Sequence, residues 1–126
     1  MITEGKSADI VYGLCSSLGL PRYQGGSWDY SDEPRVIINS HRQETERKYL
    51  KNFIDVNVVF PDLANEPQMS NLKLYEKMLQ DLFYGTLTGE VNGTGYVIEL
   101  KSLGIEGDGT IKSHFVNCKL LFSALR

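Results

Sequence analysis

Between Tyr49 and Phe60 the chain reads YLKNFIDVNVVF, and its apolar side chains fall on alternate residues. Leu50, Ile54, Val56, Val58 and Phe60 share one phase, while Phe53, Asp55, Asn57 and Val59 share the other. Successive strand side chains point to opposite faces, so this spacing predicts a strand with one face in a core and the other partly covered. Pro61 and Asp62 close it. A sheet of that kind needs a covering layer on one side only, and the layer has to come from elsewhere in the chain.

Two stretches have helical spacing. Residues 70–85, SNLKLYEKMLQDLFYG, place Leu72, Tyr75, Leu79, Leu82 and Phe83 on one stripe, with Ser70 or Asn71 as the cap and Gly85 as the left-handed stop. Residues 7–18, SADIVYGLCSSL, align Ala8, Val11, Cys15 and Leu18, flanked by Ile10 and Leu14. Ser7 is the expected cap, and Gly19 and Pro21 end the helix. Further strands are expected at RVIINSHR (35–42), GYVIELKSL (95–103) and IKSHFVNCKLLF (111–122), with a possible short one at Trp28 and Tyr30. GIEGDGT reads as a turn, and Asn92-Gly93 as the tip of a small hairpin. Strands grouped between two helices, without regular βαβ alternation, predict an α+β fold: a mainly antiparallel sheet with two helices packed on one face.

At 126 residues the chain has the size of a single domain spanning 1–126. Hydrophobic residues at 41% and charged ones at 23% describe an ordinary globular protein, and a net charge of −3 argues against a dedicated nucleic-acid binder. No run approaches the ~20 apolar residues of a membrane span, and MITEGKSADIVYGLC lacks the layout of a signal peptide, so cytoplasmic synthesis is expected. Cys15 and Cys118 both fall in apolar phases and read as core packing.

Motifs for chemistry are weak. His41 and His114 have no Cys or carboxylate at metal-ligand spacing and read as surface or rim side chains. Gly93 and Gly95 lead into a strand where a dinucleotide fingerprint would open a helix, and EGDG supplies a fragment of a calcium loop. Asp29, Asp32, Glu33, Asp55 and Asp62 are not brought together by any spacing. No enzyme activity, cofactor or metal is expected. Trp28 and Tyr30, with Tyr23, sit in a polar, glycine-rich stretch and either close one end of the core or meet another subunit.

The segment SHRQETERKYLK (40–51) carries charge of both signs and no glycine or proline, yet it joins two strands that should pair. Either the strands continue through it as a projecting charged hairpin, whose outer half stands clear of the core, or it is a surface loop or short helix.

The order of these elements, from Ser7 to Phe122, resembles that of the tail terminator, or tail completion, proteins of long-tailed bacteriophages. PRVIINS, FIDVNVVFPD and NLKLYEKMLQDLF stand where that family has a strand, a longer strand and an amphipathic helix. The resemblance implies a structural phage or prophage protein whose subunits form a ring, commonly of six, on the last ring of the tail tube. Such a ring stops tube polymerisation and joins the tail to the head. The implied partners are further copies of the chain, the tail tube protein and the head–tail connector protein, with DNA only passing through the ring and no membrane involved. The implied location is the host cytoplasm during assembly and then the virion tail. Trp28, Tyr30, Arg42, Glu44, Glu46, Arg47 and Lys48 are the expected interface residues. A head–tail joining or neck protein of similar architecture is one alternative. A small ligand-binding or enzymatic domain, with a pocket between the sheet and the second helix, is another.

Overall fold

A computed structural model describes residues 1–25, 31–42 and 48–125, with Arg42 described by its backbone alone. Two helices lie on one face of a six-stranded, mostly antiparallel sheet, an α+β arrangement. The elements are α1 (Glu4–Leu14), continued by a 3₁₀ turn (Cys15–Leu18), β1 (Arg22–Gln24), β2 (Arg35–Arg42), β3 (Tyr49–Pro61), α2 (Met69–Leu82), β4 (Thr86–Val91), β5 (Thr94–Asp108) and β6 (Ser113–Leu125). The strand order is β1-β2-β3-β6-β5-β4, and β1 alone runs parallel to its neighbour. No helix among the described residues is long and apolar enough to cross a membrane.

The long strand behaves as its alternation requires. Leu50, Ile54, Val56, Val58 and Phe60 are buried under the helices, beside Val36 and Ile38 of β2 and Val116, Cys118, Leu120 and Phe122 of β6. Val11, Cys15 and Leu18 from the first helical segment and Leu72, Leu79 and Phe83 from the second complete one continuous core. Burial of this kind stabilises by about 1.5–3 kcal/mol for each large apolar side chain, before the entropy of ordering is subtracted. Leu72, Leu79 and Phe83, each at most 1% exposed, pack α2 and its exit against the sheet.

Several expected boundaries move. The first helix starts at Glu4, and Thr3 caps it: its Oγ1 accepts from the Lys6 amide at 3.1 Å. Ser7 lies inside the helix, fully buried, donating to the Glu4 carbonyl and accepting from Asn52 Nδ2 at 3.0 Å. A small hydroxyl fits a helix interior when it finds partners there, which the sequence pattern cannot distinguish from a cap. The second helix starts at Met69, ahead of the expected Ser70 or Asn71, and its N-cap Gln68 makes no side-chain capping bond. Instead Gln68 Nε2 donates to the Pro61 carbonyl at 2.6 Å and ties the helix entry to the end of β3. The left-handed residues at the two helix exits are Gly19 (φ 72°) and Gly85 (φ 66°), as their positions in the sequence predict.

The β5–β6 hairpin is longer than expected. GIEGD belongs to β5, and the turn follows it. A bulge between Leu100 and Ser102 shifts the register by one residue, so Leu103 and Ile105 return to the helix side with Leu100 and Ile98. Side chains reverse face with every residue, so a one-residue insertion is what keeps a strand of this length apolar inward. Asp108 fixes the turn, accepting from the Thr110 amide at 2.9 Å and the Thr110 hydroxyl at 2.6 Å. These bonds, the hydroxyl first, hold its carboxyl below the usual range. The Asn92-Gly93 hairpin forms with both residues at positive φ (49° and 83°).

β2 and β3 form the expected antiparallel pair, from Arg35 opposite Val59 to Arg42 opposite Asn52. The described part of this hairpin does not stand clear of the core: Tyr49 pairs with Leu125 of β6, and Leu50 is 3% exposed. The tip, residues 43–47, and the expected strand at Trp28 and Tyr30 lie outside the described residues.

Candidate interaction surface

The face of the sheet away from the helices carries the second phase of every strand. Register across β6, β3 and β2 sorts it into rows. At the β3 start, exposed Tyr49 and Leu125 lie opposite each other, followed by Leu121 beside Phe53. The middle of the face is polar: His41, Asp55, Asn57, Asn117 and Lys119. The far end turns apolar again with Phe115 and Val59, beside Ile37 and Arg35.

The polar centre is connected. His41 Nε2 lies 2.6 Å from Asp55 Oδ2, and since a carboxylate only accepts, the imidazole carries its proton on that nitrogen. Asn117 Nδ2 donates to Asn57 Oδ1 at 2.8 Å and reaches Asp55 Oδ1 at 3.4 Å. Asn57 is 3% exposed, so its partner satisfies a group that water does not reach. Lys119 Nζ stands 5.7 Å from the centre of the Phe53 ring. The second histidine has the same kind of partner: His114 Nδ1 is 2.7 Å from Asp62 Oδ1. Tertiary pairing thus gives each histidine a carboxylate that no local spacing announced. Among the described residues no three His, Cys, Asp or Glu side chains group as a metal site. The arrangement offers hydrogen bonds, charge and apolar corners, which is the chemistry of recognition.

A cavity of about 370 Å³ opens beside the β1–β2 edge, lined by Tyr23, Gln24, Gly25, Ser31, Glu33, Arg35 and Ile37. The Tyr23 hydroxyl donates to Glu33 Oε1 at 2.7 Å, and that bond raises the phenol above its ordinary range. Arg35 is 5% exposed and donates to the Glu33 carbonyl at 3.1 Å.

Of the interface residues expected from sequence, Lys48 is exposed in the turn before β3, and Arg42 is the last residue of β2. Trp28, Tyr30, Glu44, Glu46 and Arg47 lie outside the described residues. The polar centre was missed as a unit. Its Asp55 and Asn57 could be assigned to the outward phase of their strand, but pairing with Asn117 joins positions about 60 residues apart.

No protein-family model matches the chain, and no curated protein is similar to it in sequence. One solved structure, of a protein whose designation names no function, has the same fold with a TM-score of 0.58 at 11% identity. The alignment covers 98% of this chain and 94% of that one.

Proposed function

We propose that this chain is a structural subunit of a bacteriophage or prophage tail: a tail terminator that closes into a ring, of six copies, at the head-proximal end of the tail tube. The ring stops tube polymerisation and presents a surface to the head–tail connector, while DNA passes through its centre. The reading rests on the order of elements along the whole chain, and one observation supports it most. Among the described residues the sheet has helices on one side only, and its other face carries a hydrogen-bonded polar centre between the exposed Tyr49–Leu125 pair and a buried end at Ile37 and Val59. A surface of that composition suits contact with protein. No covalent step is assigned to it.

The test is a capping assay. Purified protein added to polymerising tail tubes should arrest them at a shorter, uniform length, and negative-stain images should show rings alone or on tube ends. Tubes that grow to the same length with and without the protein would refute the reading.

A ligand-binding role is the second reading, favoured by the cavity of about 370 Å³ with Glu33 and Arg35 in its wall. It predicts a thermal shift with a small polar metabolite, since a ligand that binds only the folded state stabilises it.

A further inference from the structure

β4 and β5 differ in length, and the difference leaves a step in the sheet. β4 covers β5 only from Thr94 to Glu99, while β5 runs on along β6 to Asp108. Ser102–Asp108 therefore has β6 on one side and, among the described residues, no strand on the other. The residues next to the undescribed segments stand elsewhere. Gly25 and Ser31 lie by β1 and β2, and Arg42 and Lys48 at the β2–β3 turn, with β6 between them and this edge. Leu125 ends β6 at the opposite end from Ser113 and Asp108. The step is longer than a usual strand of about 5–6 residues. It holds no proline and no lysine, and the bulge between Leu100 and Ser102 sits at its foot, leaving the rest in register with β6. Backbone groups on the open side of an edge strand have no ladder partner, so the step is a row of donors and acceptors. Its two faces differ. Leu103 and Ile105 line the helix side, half-buried against the core. Ser102, Gly104, Glu106 and Asp108 share the other side, where a side chain built at Gly104 would meet nothing. Glu106 is exposed, and the bonds from Thr110 hold Asp108 in its charged form. Among the described residues neither carboxylate is in a salt bridge. Lys101 is taken by Glu99 at 3.1 Å, Lys119 points over the Phe53 ring toward β3, and His114 is held by Asp62.

We propose that the step takes an extended segment of a partner protein, one that alternates apolar with basic residues and adds a strand to β5 in line with β4. Backbone hydrogen bonds hold such a strand, and its side chains set the choice of partner. Strand side chains alternate between faces, so the apolar ones join Leu103 and Ile105 while the lysines or arginines meet Glu106 and Asp108. The pairing of opposite charges fixes register as well as identity. A second copy of this chain joined through the same edge would set the carboxylates of both copies on one face with no cation between them. The assignment stands apart from the ring reading above.

The probe is a blocked peptide as long as the step, alternating valine with lysine. It should bind the whole chain in fluorescence anisotropy, more weakly as salt rises. Hydrogen exchange should slow at alternate amides of Ser102–Asp108 and leave those of β1 and β2 unchanged. Methylating one alternate set of the peptide's own amides should abolish binding, and methylating the other set should not, because only one set faces β5. Glu106→Lys should weaken binding at least about tenfold, and circular dichroism shows whether that variant keeps its fold. No binding, equal binding of a valine–glutamate peptide, protection on another strand or an unchanged affinity in a folded Glu106→Lys chain would overturn the proposal. So would a dimer in analytical ultracentrifugation that the peptide dissociates, since the occupant would then be a second copy. Each of these results leaves the capping assay, and with it the ring reading, untouched.

Discussion

Phe122 and Leu121 are neighbours in β6, yet they live in different environments. Phe122 is fully buried under the helices, against Tyr96 with ring centres 5.2 Å apart, while Leu121 on the opposite face is half-buried beside Phe53. The same contrast holds across the sheet. The helix side is an apolar core interrupted by one polar cluster, and the other side is a mosaic of polar and apolar rows with no helix upon it. The first face is shaped by the need to exclude water. The second is divided: Ile37, Val59 and Asn57 at one end are buried as deeply as the core, while Tyr49 and Leu125 at the other are exposed.

Truncation gives the sharpest way to break that contrast. Phe122→Ala should cost about 3–5 kcal/mol in chemical denaturation, the usual range for a large aromatic removed from a closed core. Leu121→Ala should cost about 1 kcal/mol or less, since water can enter the space. Equal costs would mean that the two faces are equally closed.

The next largest effect comes from the thiols. Burial pushes both Cys15 and Cys118 from about 9 up to about 12. The folded state therefore keeps these protons at pH values where the unfolded chain loses them. Stability is full below pH 9 and declines as pH rises from about 9 to about 12. At pH 10.5 the loss is about 2 kcal/mol per thiol. A Cys118→Ala variant should show a shallower decline over that window in pH-dependent urea titrations. Both thiols should also resist thiol reagents until the chain unfolds, because the thiolate is the reactive form.

The polar cluster inside the core should rank third. Asn52 is 1% exposed, and its Nδ2 donates to Ser7 Oγ at 3.0 Å and Ser40 Oγ at 2.6 Å. Ser40 in turn donates to Glu4 Oε1 at 3.3 Å, so α1 is fastened to β2 and β3 by hydrogen bonds as well as by Val11. Removing the amide with Asn52→Ala should cost about 1–2 kcal/mol, by leaving two hydroxyls short of a donor. Its Oδ1 has no partner, so part of the penalty is already present in the native chain and the loss stays at the lower end. On the outward face, Asn117→Ala should cost about 1 kcal/mol, because it takes the donor from the buried Asn57 Oδ1 while Asn117 itself is only half-buried. A cost larger than that of Asn52→Ala would show the outward network to be the more closed of the two.

The last effect concerns the outer strand β4. The Tyr96 ring lies over Gly89, in the space a side chain would need. Gly89→Ala should cost about 1 kcal/mol and displace the ring from Phe122, visible as a change in near-ultraviolet circular dichroism. An unchanged spectrum would mean that the edge yields without disturbing the core.

Period alone determined a great deal. The alternation in residues 49–60 and the helical stripe in 70–85 were enough to specify strand, helix and the one face they share, because each residue type answers to a local repeat of two or 3.6. Positive-φ positions at Gly19, Gly85 and Gly93 were legible for the same reason: a glycine between periodic segments marks a turn. The cap at Thr3, the short parallel strand β1, the bulge after Leu100 and the meeting of Asp55 with His41 and Asn117 were not. Each depends on which strand lies beside which, and that order, β1-β2-β3-β6-β5-β4, is chosen by how the whole apolar surface closes.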